Sequence, residues 1–156
     1  MTNLLIITQK VDQNDDVLGF FHKWIEEFSK HYENVTVICL GKGEYSLPKN
    51  VKVLSLGKEQ GVSRLRYILN FYRYIWTERK NYDTVFVHMN QEYILLGGLI
   101  WKFLGKRIFF WRNHPYGNML TIAAIIFSDK IFCTSRYSFT YKSKKAILMP
   151  VGIDTN

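Results

Sequence analysis

The stretch Asp83-Thr84-Val85-Phe86-Val87-His88 and the two segments after it decide the fold. Its run of β-branched and aromatic residues predicts a buried strand. The apolar run Tyr93–Leu104 then predicts a helix that ends at Gly105, and Arg107–Trp111 predicts a second strand. A strand, a helix and another apolar strand in this order predict a parallel βαβ unit, because strands buried on both faces are apolar throughout.

The same alternation of apolar strands and helices fills the rest of the chain. The predicted fold class is therefore α/β, with a doubly wound, mainly parallel, Rossmann-like sheet in one domain over residues 1–150. Ser63 is the predicted N-cap of the longest helix. The other predicted strands are Leu4–Thr8, Asn34–Leu40, Val51–Leu56, Lys130–Thr134 and Ala146–Met149, and the other predicted helices are Leu18–His31, Arg64–Lys80, a short buried helix at Met119–Phe127 and a helical turn at Ser135–Tyr141.

The final segment, Lys145–Asn156, predicts a short strand that runs into a Pro/Gly turn. A chain commonly leaves one domain for the next through an exposed turn of this kind. We therefore expect residues 151–156 to begin an interdomain linker, and a further domain or a partner subunit to complete the protein.

The charge balance of the chain favours anionic partners. Its 156 residues carry 21 Lys+Arg against 13 Asp+Glu, a formal net charge of +8. Phosphorylated substrates, an acidic membrane face or nucleic acid can use such a charge, and a solvated basic surface is the alternative. Because no RNA-binding signature accompanies the charge, we expect no nucleic-acid partner.

The cysteines and the N-terminal residues indicate a cytoplasmic location. Cys39 and Cys133 lie inside apolar runs without metal-ligand spacing, which predicts buried free thiols and fits a reducing compartment. The N-terminal residues lack the cationic start and long apolar stretch of a signal peptide. A peripheral place on the inner membrane face is a further expectation.

The first strand-to-helix loop, Gln9–Gly19, argues against a bound dinucleotide. It lacks the G-x-G-x-x-G pattern that presses a pyrophosphate onto a helix N-terminus. Asp12, Asp15 and Asp16 also make the loop acidic, which would repel phosphate. The sequence shows no Ser/His/Asp triad, P-loop or metal-ligand cluster, so we expect neither a cofactor nor a metal.

Candidate binding residues follow from the rule that ligands of open parallel sheets bind beyond the carboxyl ends of the strands. His114 is the leading candidate, because it follows a strand and its imidazole can donate or accept a hydrogen bond near neutral pH. Arg112 beside it can hold an anion. A surface histidine without a function is the alternative. The other candidate substrate-binding residues are Asn113, Tyr116, His88, Gly19 and His22.

Two of these candidates have structural alternatives. Gly19 either lets a ligand approach the N–H groups of the first helix or allows close packing between helix and sheet. His88 either lines the ligand-binding edge or fills a structural position beside Met89. His31 resembles a residue favoured at a helix C-terminus, and no function is expected of it.

The helix predicted at Arg64–Lys80 carries two patterns. One apolar stripe is predicted to face the core. Arg66, Arg73 and Lys80 at heptad spacing and a second aromatic row lie on other faces, a mixture that suits the headgroup region of an anionic membrane. A broad packed helix with a solvated cationic edge is the alternative. The stripe comprises Leu65, Ile68, Leu69, Tyr72, Ile75 and Trp76, and the aromatic row comprises Tyr67, Phe71 and Tyr74.

Several segments, in their order and spacing, give the chain a family resemblance that covers nearly its whole length. They are Leu4–Thr8 with the Gly-containing loop after it, Trp24–Phe28, Tyr82–His88, the strand-end His114, Ser128–Ser135 and the closing Val151–Asp154. On these segments the chain resembles the amino-terminal domain of a group 1 (family 4) glycosyltransferase of the GT-B fold.

The resemblance implies an activity and a division of labour. Such enzymes are sugar-nucleotide-dependent, mostly metal-independent and retaining, and the amino-terminal domain binds a glycan or lipid-linked acceptor while the carboxyl-terminal domain binds the donor. It implies that His114 is the catalytic histidine close to the transferred sugar, and that Gly19 lies in the loop lining the donor-phosphate and acceptor region. Many members make polysaccharides or glycolipids at the cytoplasmic membrane face, which implies a purpose for the basic, aromatic helix.

The chain departs from the family pattern in two ways. Leu18 precedes Gly19 where the family often has paired glycines, which alters the details of that loop. The paired-glutamate donor motif belongs to the second domain, so we expect the isolated chain to be inactive. Two other functions stay open: a non-catalytic binding module for an anionic glycan or membrane surface, and an unrelated doubly wound protein that binds some other small molecule.

Overall fold

A computed structural model describes residues 2–150 of the chain, so the predicted linker at 151–156, including the turn Val151–Asp154, lies outside the described residues. The elements alternate as predicted. The strands are β1 (Leu4–Val11), β2 (Val35–Lys42), β3 (Val51–Ser55), β4 (Thr84–His88), β5 (Arg107–Trp111), β6 (Lys130–Cys133) and β7 (Ala146–Leu148). The α-helices are α1 (Gly19–His31), α2 (Arg64–Thr77), α3 (Gln91–Phe103) and α4 (Met119–Phe127), and short 3-10 turns cover Lys58–Gln60 and Phe139–Lys142.

The strands belong to a seven-stranded sheet in the order β3-β2-β1-β4-β5-β6-β7. The pairs β1–β2, β2–β3, β5–β6 and β6–β7 are parallel. The order steps outward from β1 to β3 and then outward again from β4 to β7, which is the doubly wound arrangement. The predicted class, an α/β fold with a doubly wound, mainly parallel, Rossmann-like sheet, is confirmed.

The strand β1 is three residues longer than predicted. The prediction ended it at Thr8, where apolar residues give way to polar ones. In the structure Lys10 and Val11 continue the parallel pairing with Gly41 and Lys42 of β2. Backbone pairing with a neighbouring strand, rather than side-chain hydrophobicity, therefore sets the end of this strand.

The described chain divides into two compact units, one up to Val85 and one from Phe86 onward. In the first unit β1 and β2 supply an apolar core, and α1 packs as its periodicity predicts. Phe21 and Ile25 on the inner face of α1 are fully buried. The fully buried strand residues of this unit include Leu5, Ile6, Ile7, Val37 and Ile38.

The buried face of α2 differs from the predicted one. Of the predicted core stripe only Ile75 is buried, whereas Leu65, Leu69 and Trp76 are 66%, 54% and 52% exposed. The residue that packs beside Ile75 is Phe71, from the row that the prediction placed outside the core. The prediction of the core stripe was therefore wrong, and the aliphatic side of α2 faces solvent.

Contacts from distant segments fix this orientation of α2. Asn70 on the buried side donates to the Leu56 carbonyl at 3.0 Å, and the Tyr82 hydroxyl donates to the Ile75 carbonyl at 2.9 Å. At the other end, the side chain of Ser63 caps the helix as predicted by accepting from the backbone N–H of Arg66. These bonds hold the aromatic side of the helix inward.

The helix α2 also ends at Thr77, three residues before the predicted end at Lys80. Glu78 forms the C-cap and turns its carboxylate inward to Lys52, with 2.7 Å between the Oε1 and Nζ atoms. Lys80 consequently lies beyond the helix, and the predicted three-membered heptad row is reduced to Arg66 and Arg73 on α2.

The second unit packs α3 and α4 against its strands. Ile94 and Trp101 of α3 are fully buried, and Ile108, Phe110 and Ile131 form the strand side of the core. Gly98 lies at the contact between the two helices, where a Cβ atom would stand 3.0 Å from the Phe127 ring. A small residue at this point lets α3 and α4 approach closely.

The helix α4 is not the buried helix that its apolar sequence predicted. Its inward residues are the small Thr121 and Ala124, which are fully buried, whereas Met119 and Ile126 are 77% and 67% exposed. A nine-residue helix packed through small side chains has room for only a narrow inner face. Met119, Leu120, Ile122 and Ile126 of α4 are therefore exposed, whereas Phe127 packs against α3.

Both cysteines are buried free thiols, as predicted. Burial raises the pKa of the Cys39 thiol to about 12 and also raises the pKa of Cys133. Both side chains are therefore protonated and unreactive at neutral pH.

Candidate functional site

The loop after β5 carries the leading candidate, His114, and is fastened to the segment that follows β6. The Arg112 carbonyl accepts hydrogen bonds from the hydroxyls of Ser138 at 3.2 Å and Thr140 at 3.0 Å. The His114 carbonyl accepts from the Phe139 backbone N–H at 2.9 Å. These bonds fix the backbone on both sides of Asn113. The side chains of the loop therefore project from a backbone of fixed conformation.

The imidazole of His114 is oriented from within the same loop. Its Nδ1 atom lies 3.0 Å from the Tyr116 carbonyl oxygen and 3.1 Å from the Tyr116 backbone nitrogen. The guanidinium of Arg112 donates to the same carbonyl at 2.9 Å. Because the backbone of Tyr116 engages Nδ1, Nε2 is the ring nitrogen that can meet a ligand.

A cavity of about 330 Å³ opens beside this loop at the carboxyl ends of β4 and β5. It brings together three of the predicted site residues, Arg112, Asn113 and His114. Sequence reasoning missed its other walls, which come from the residues after β4 and from the end of β5. Those further lining residues are Met89, Asn90, Gln91, Glu92 and Trp111.

Met89 has an unusual backbone conformation at the cavity wall. Its φ of 67° lies in the left-handed region that residues with a side chain rarely adopt. The Met89 N–H donates to the Trp111 carbonyl at 2.8 Å, and the next N–H, of Asn90, donates to the His88 carbonyl at 2.8 Å. Strained residues of this kind cluster at ligand sites. No feature of the sequence signals this φ.

His88 lies behind the cavity rather than on its surface. Its side chain is fully buried, and its ring packs against the Trp111 ring with 5.0 Å between the centroids. Desolvation lowers the pKa of His88 to about 3, so the imidazole is neutral at physiological pH. This burial favours the structural alternative for His88, as a support of the Trp111 wall.

The cavity holds charges of both signs. Arg112 is half-buried, and desolvation lowers the pKa of its guanidinium while the Glu92 carboxylate acts in the opposite sense. An arginine keeps its charge under such a shift because its ordinary pKa is so high. A guanidinium, a carboxylate, amides and an imidazole beside an aromatic wall form a polar set that suits hydroxyl and phosphate groups.

Gln91 fastens the cavity floor to α4. Its Oε1 accepts from the Thr121 hydroxyl at 2.7 Å, and its Nε2 donates to Asn118 Oδ1 at 3.4 Å. Asn118 and Thr121 form the capping box of α4 through reciprocal bonds between side chain and backbone. The starts of α3 and α4 are thereby joined, which steadies the residues that lead into both helices.

The two candidate binding residues of the first unit, Gly19 and His22, make contacts within the protein. The backbone N–H of Gly19 donates to the Asp15 carbonyl at 2.9 Å, and a Cβ atom at Gly19 would stand 3.1 Å from the Gln13 carbonyl oxygen. His22 is 6% exposed, and its Nε2 accepts from the Ser46 backbone N–H at 3.3 Å. These contacts favour the packing alternative for Gly19 and give His22 a role in holding the β2–β3 connection.

Lys10 pairs with two of the three aspartates of the acidic first loop. Lys10 Nζ lies 2.9 Å from Asp12 Oδ2 and 2.8 Å from Asp15 Oδ2. The hydrogen bond from Lys10, with further bonds from the N–H groups of Leu18 and Val17, lowers the pKa of Asp15 to about 2. Within the described residues no cluster of His, Cys, Asp and Glu could hold a metal ion.

The basic residues predicted to bind a membrane lie at the surface of the first unit. Arg66 and Arg73 are exposed on α2, and Lys80 is exposed beyond the helix end. In the part of the chain that the structure describes, no helix is long and apolar enough to cross a bilayer.

A family model described as "Glycosyl transferase 4-like" matches residues 14–110, more than half of the chain, and ends before His114. Comparison with curated proteins gave no match.

Solved structures share the fold at low sequence identity. MurG of Acinetobacter baumannii is 10% identical with a TM-score of 0.60, over 96% of this chain and 45% of that one. The lipopolysaccharide outer core galactosyltransferase WaaB is 17% identical with a TM-score of 0.61, over 98% and 47%. A UDP-GlcNAc 2-epimerase of Methanocaldococcus jannaschii is 13% identical with a TM-score of 0.60, over 94% and 45%. The chain thus spans about half the length of these structures.

Proposed function

This chain belongs to the glycosyl transferase 4-like family, and on that premise we propose that it is the acceptor-side domain of a retaining, sugar-nucleotide-dependent glycosyltransferase. The observation that carries the proposal is the cavity beyond β4 and β5, into which the loop after β5 presents Arg112, Asn113 and His114. In this proposal the acceptor is a glycan or a lipid-linked sugar, and the nucleotide sugar is a substrate held mainly by a separate donor-binding domain or subunit.

The cavity residues have distinct proposed roles. His114 is the catalytic histidine, whose Nε2 bonds a hydroxyl of the transferred sugar while Nδ1 stays with the Tyr116 backbone. Asn113 bonds an acceptor hydroxyl through its amide, and Arg112 attracts an anionic group of either substrate. Trp111 supplies an apolar wall on which a sugar ring can pack. Neither a cofactor nor a metal is required in this proposal.

The test of the catalytic role compares two histidines in the full-length enzyme. His114→Ala removes the imidazole from the cavity, and we expect the transfer rate to fall by about 10²-fold or more, as when a positioned hydrogen-bonding group is lost. His31→Ala is the matched control, because His31 is exposed at the end of α1, where its ring bonds the neighbouring Glu27. Unchanged transfer by His114→Ala would overturn the catalytic assignment.

A binding measurement separates the enzyme from the non-catalytic alternative. With the catalytic role, His114→Ala loses transfer while acceptor affinity, measured by calorimetry, changes little. A module that only binds an anionic glycan would show no sugar-nucleotide-dependent transfer in any full-length form, and Arg112→Gln would be the variant that weakens binding.

The expected donor-binding domain is tested by sequencing the gene. The coding sequence is read past Asn156, where a second α/β domain with two glutamates at its donor edge is expected. A stop codon at that point, with no donor-domain protein that co-purifies, would contradict this part of the proposal. The 156-residue chain assayed alone is expected to be inactive.

A further inference from the structure

The two segments beside the cavity are rich in aromatic residues and poor in aliphatic ones. Residues 112–118 read RNHPYGN, and residues 135–142, which follow β6, read SRYSFTYK. Neither segment contains Leu, Ile, Val or Met, although the helix α4 that follows the first one consists mostly of such residues. The two segments therefore offer aromatic and polar side chains together, without an aliphatic patch.

The two segments are held against each other by more than the hydrogen bonds already described. A Cβ atom at Gly117 would overlap the ring of Phe139, so a glycine lets the loop after β5 lie directly on that ring. In the segment after β6, Ser135 Oγ accepts from the Tyr137 backbone N–H at 3.1 Å, and the Ser135 carbonyl accepts from the Ser138 N–H at 3.1 Å. The backbone next to both exposed tyrosines of this region is therefore fixed.

The two tyrosines, Tyr116 and Tyr137, extend their rings into solvent, and they are 76% and 89% exposed. The centroid of the Tyr116 ring lies 5.9 Å from that of the His114 ring, with 59° between the two planes. Since His114 lines the cavity, the phenol ring of Tyr116 lies at the cavity margin. Exposed aromatic rings on a fixed backbone offer contact area to a ligand at little cost in conformational entropy.

A chain of sugars complements this surface better than a lipid chain does. One face of a pyranose ring carries C–H groups that pack on an aromatic ring, and its rim carries hydroxyls that bond polar side chains. A tyrosine has an apolar body and a polar tip, which match both parts. A hydrocarbon chain would instead cover the polar side chains of both segments without bonding them, at a cost in free energy.

We propose that the acceptor is an oligosaccharide, and that Tyr116 and Tyr137 bind the sugars beyond the one that reacts. Trp111 packs against the reacting sugar inside the cavity, Tyr116 stacks on the next sugar at the margin, and Tyr137 stacks on a further one. This inference rests on the proposed function, because it names the class of acceptor that the same cavity takes. The two tyrosines are binding residues and take no part in the chemical step.

The experiment measures how affinity depends on the length of the sugar chain. Three linear series are titrated into the full-length protein and followed by nuclear magnetic resonance. The first is methyl glucoside, maltose and maltotriose; the second is N-acetylglucosamine, chitobiose and chitotriose; the third is mannose, mannobiose and mannotriose. In at least one series we expect the affinity to rise about tenfold from the monosaccharide to the disaccharide, and again to the trisaccharide.

Variants of the tyrosines assign each gain in affinity to one ring. Tyr116→Ala is expected to remove the gain of about tenfold between monosaccharide and disaccharide, and to leave the affinity for the monosaccharide unchanged. Tyr116→Phe keeps the ring and should keep most of that gain. Tyr137→Ala should remove the gain between disaccharide and trisaccharide. The control is Tyr72→Ala, which removes a partly exposed tyrosine from α2 in the first unit and should change none of these affinities.

Three other outcomes would overturn the proposal. The first is an affinity that does not rise with chain length in any of the three series. The second is a dependence on chain length that is the same in Tyr116→Ala as in the unmodified protein. The third is a loss of farnesyl phosphate binding in Tyr116→Ala as large as the loss of trisaccharide binding, which would assign the surface to a lipid chain.

Failure of this inference and failure of the proposed function give different results. If His114→Ala abolishes transfer while Tyr116→Ala leaves the dependence on chain length unchanged, the proposed class of acceptor alone is wrong. If the full-length protein binds longer sugar chains more tightly but transfers no sugar from any nucleotide sugar, the enzymatic assignment fails and the sugar-binding surface stands.

Discussion

His22 in the first unit and His114 in the second show two opposite uses of an imidazole near a strand-to-helix connection. Both nitrogens of His22 face protein groups: Nε2 accepts from the Ser46 N–H at 3.3 Å, and Nδ1 lies 3.5 Å from Glu26. Among the residues that the structure describes, His114 bonds the backbone of Tyr116 through Nδ1. His22 lies in the first turn of α1 and His114 in the loop after β5. We expect the partners of the two ring nitrogens to distinguish a structural histidine such as His22 from the proposed functional one, His114.

His88 extends the comparison within the second unit. It ends β4, on the same edge as His114, yet it is fully buried behind Trp111. We expect a functional histidine to be dispensable for stability and a structural one to be indispensable. Measurements of the free energy of unfolding of matched variants of the three histidines test this distinction.

The largest expected effect is on the free energy of unfolding of His88→Ala. Truncation of this fully buried ring leaves a void beside Trp111, and we expect a loss of about 2–4 kcal/mol in urea unfolding. His114→Ala removes an exposed ring and should stay within about 0.5 kcal/mol of the unmodified protein. Equal losses in the two variants would show that the cavity loop is as structural as the residue behind it.

The pH dependence of stability should report the burial of His88. The pKa of His88 is lowered from 6.5 to about 3, so between these values the unfolded chain binds a proton that the folded chain does not. Stability is therefore lost as the pH falls below about 6.5, by up to about 1.4 kcal/mol per pH unit for this group. Urea titrations at several pH values should show a shallower dependence in His88→Gln than in the unmodified protein.

A smaller effect is expected at His22. His22→Phe keeps the ring volume but removes the acceptor of the Ser46 N–H, and we expect a loss of about 1 kcal/mol in the free energy of unfolding. His31→Phe, at an exposed position of the same helix, is the control and should change it by less than about 0.5 kcal/mol. A His22→Phe protein as stable as the control would mean that Ser46 finds another partner.

The fold was predictable because its signals are local. Apolar strands alternate with helices throughout, and Arg107–Trp111 and Met119–Phe127 have the predicted bounds. The buried face of α2 was not predictable, because the helix has two apolar arcs, one aliphatic and one aromatic. Asn70, Leu56 and Tyr82 decide between the arcs through long-range bonds. Periodicity identifies a helix but does not choose between two faces that could both be buried.

The candidate site was predictable in part for the same reason. Arg112, Asn113 and His114 were found because they follow a strand, and the structure places them on one cavity. Met89 and Glu92 were missed, since the left-handed φ of Met89 is a backbone property and Glu92 enters the site through the start of α3. The burial of His88 behind Trp111 depends on packing that no local pattern encodes.

The placement of Tyr116 has a consequence for the kind of ligand that His114 can address. Its carbonyl oxygen and its amide nitrogen lie at nearly equal distances, 3.0 Å and 3.1 Å, from Nδ1. With a proton on Nδ1 the ring bonds the carbonyl and offers Nε2 as an acceptor; without it the ring accepts from the amide and offers Nε2 as a donor. The backbone of Tyr116 can bond Nδ1 in either tautomer of the ring. Nε2 can therefore act as a donor or as an acceptor to the ligand without any movement of the ring.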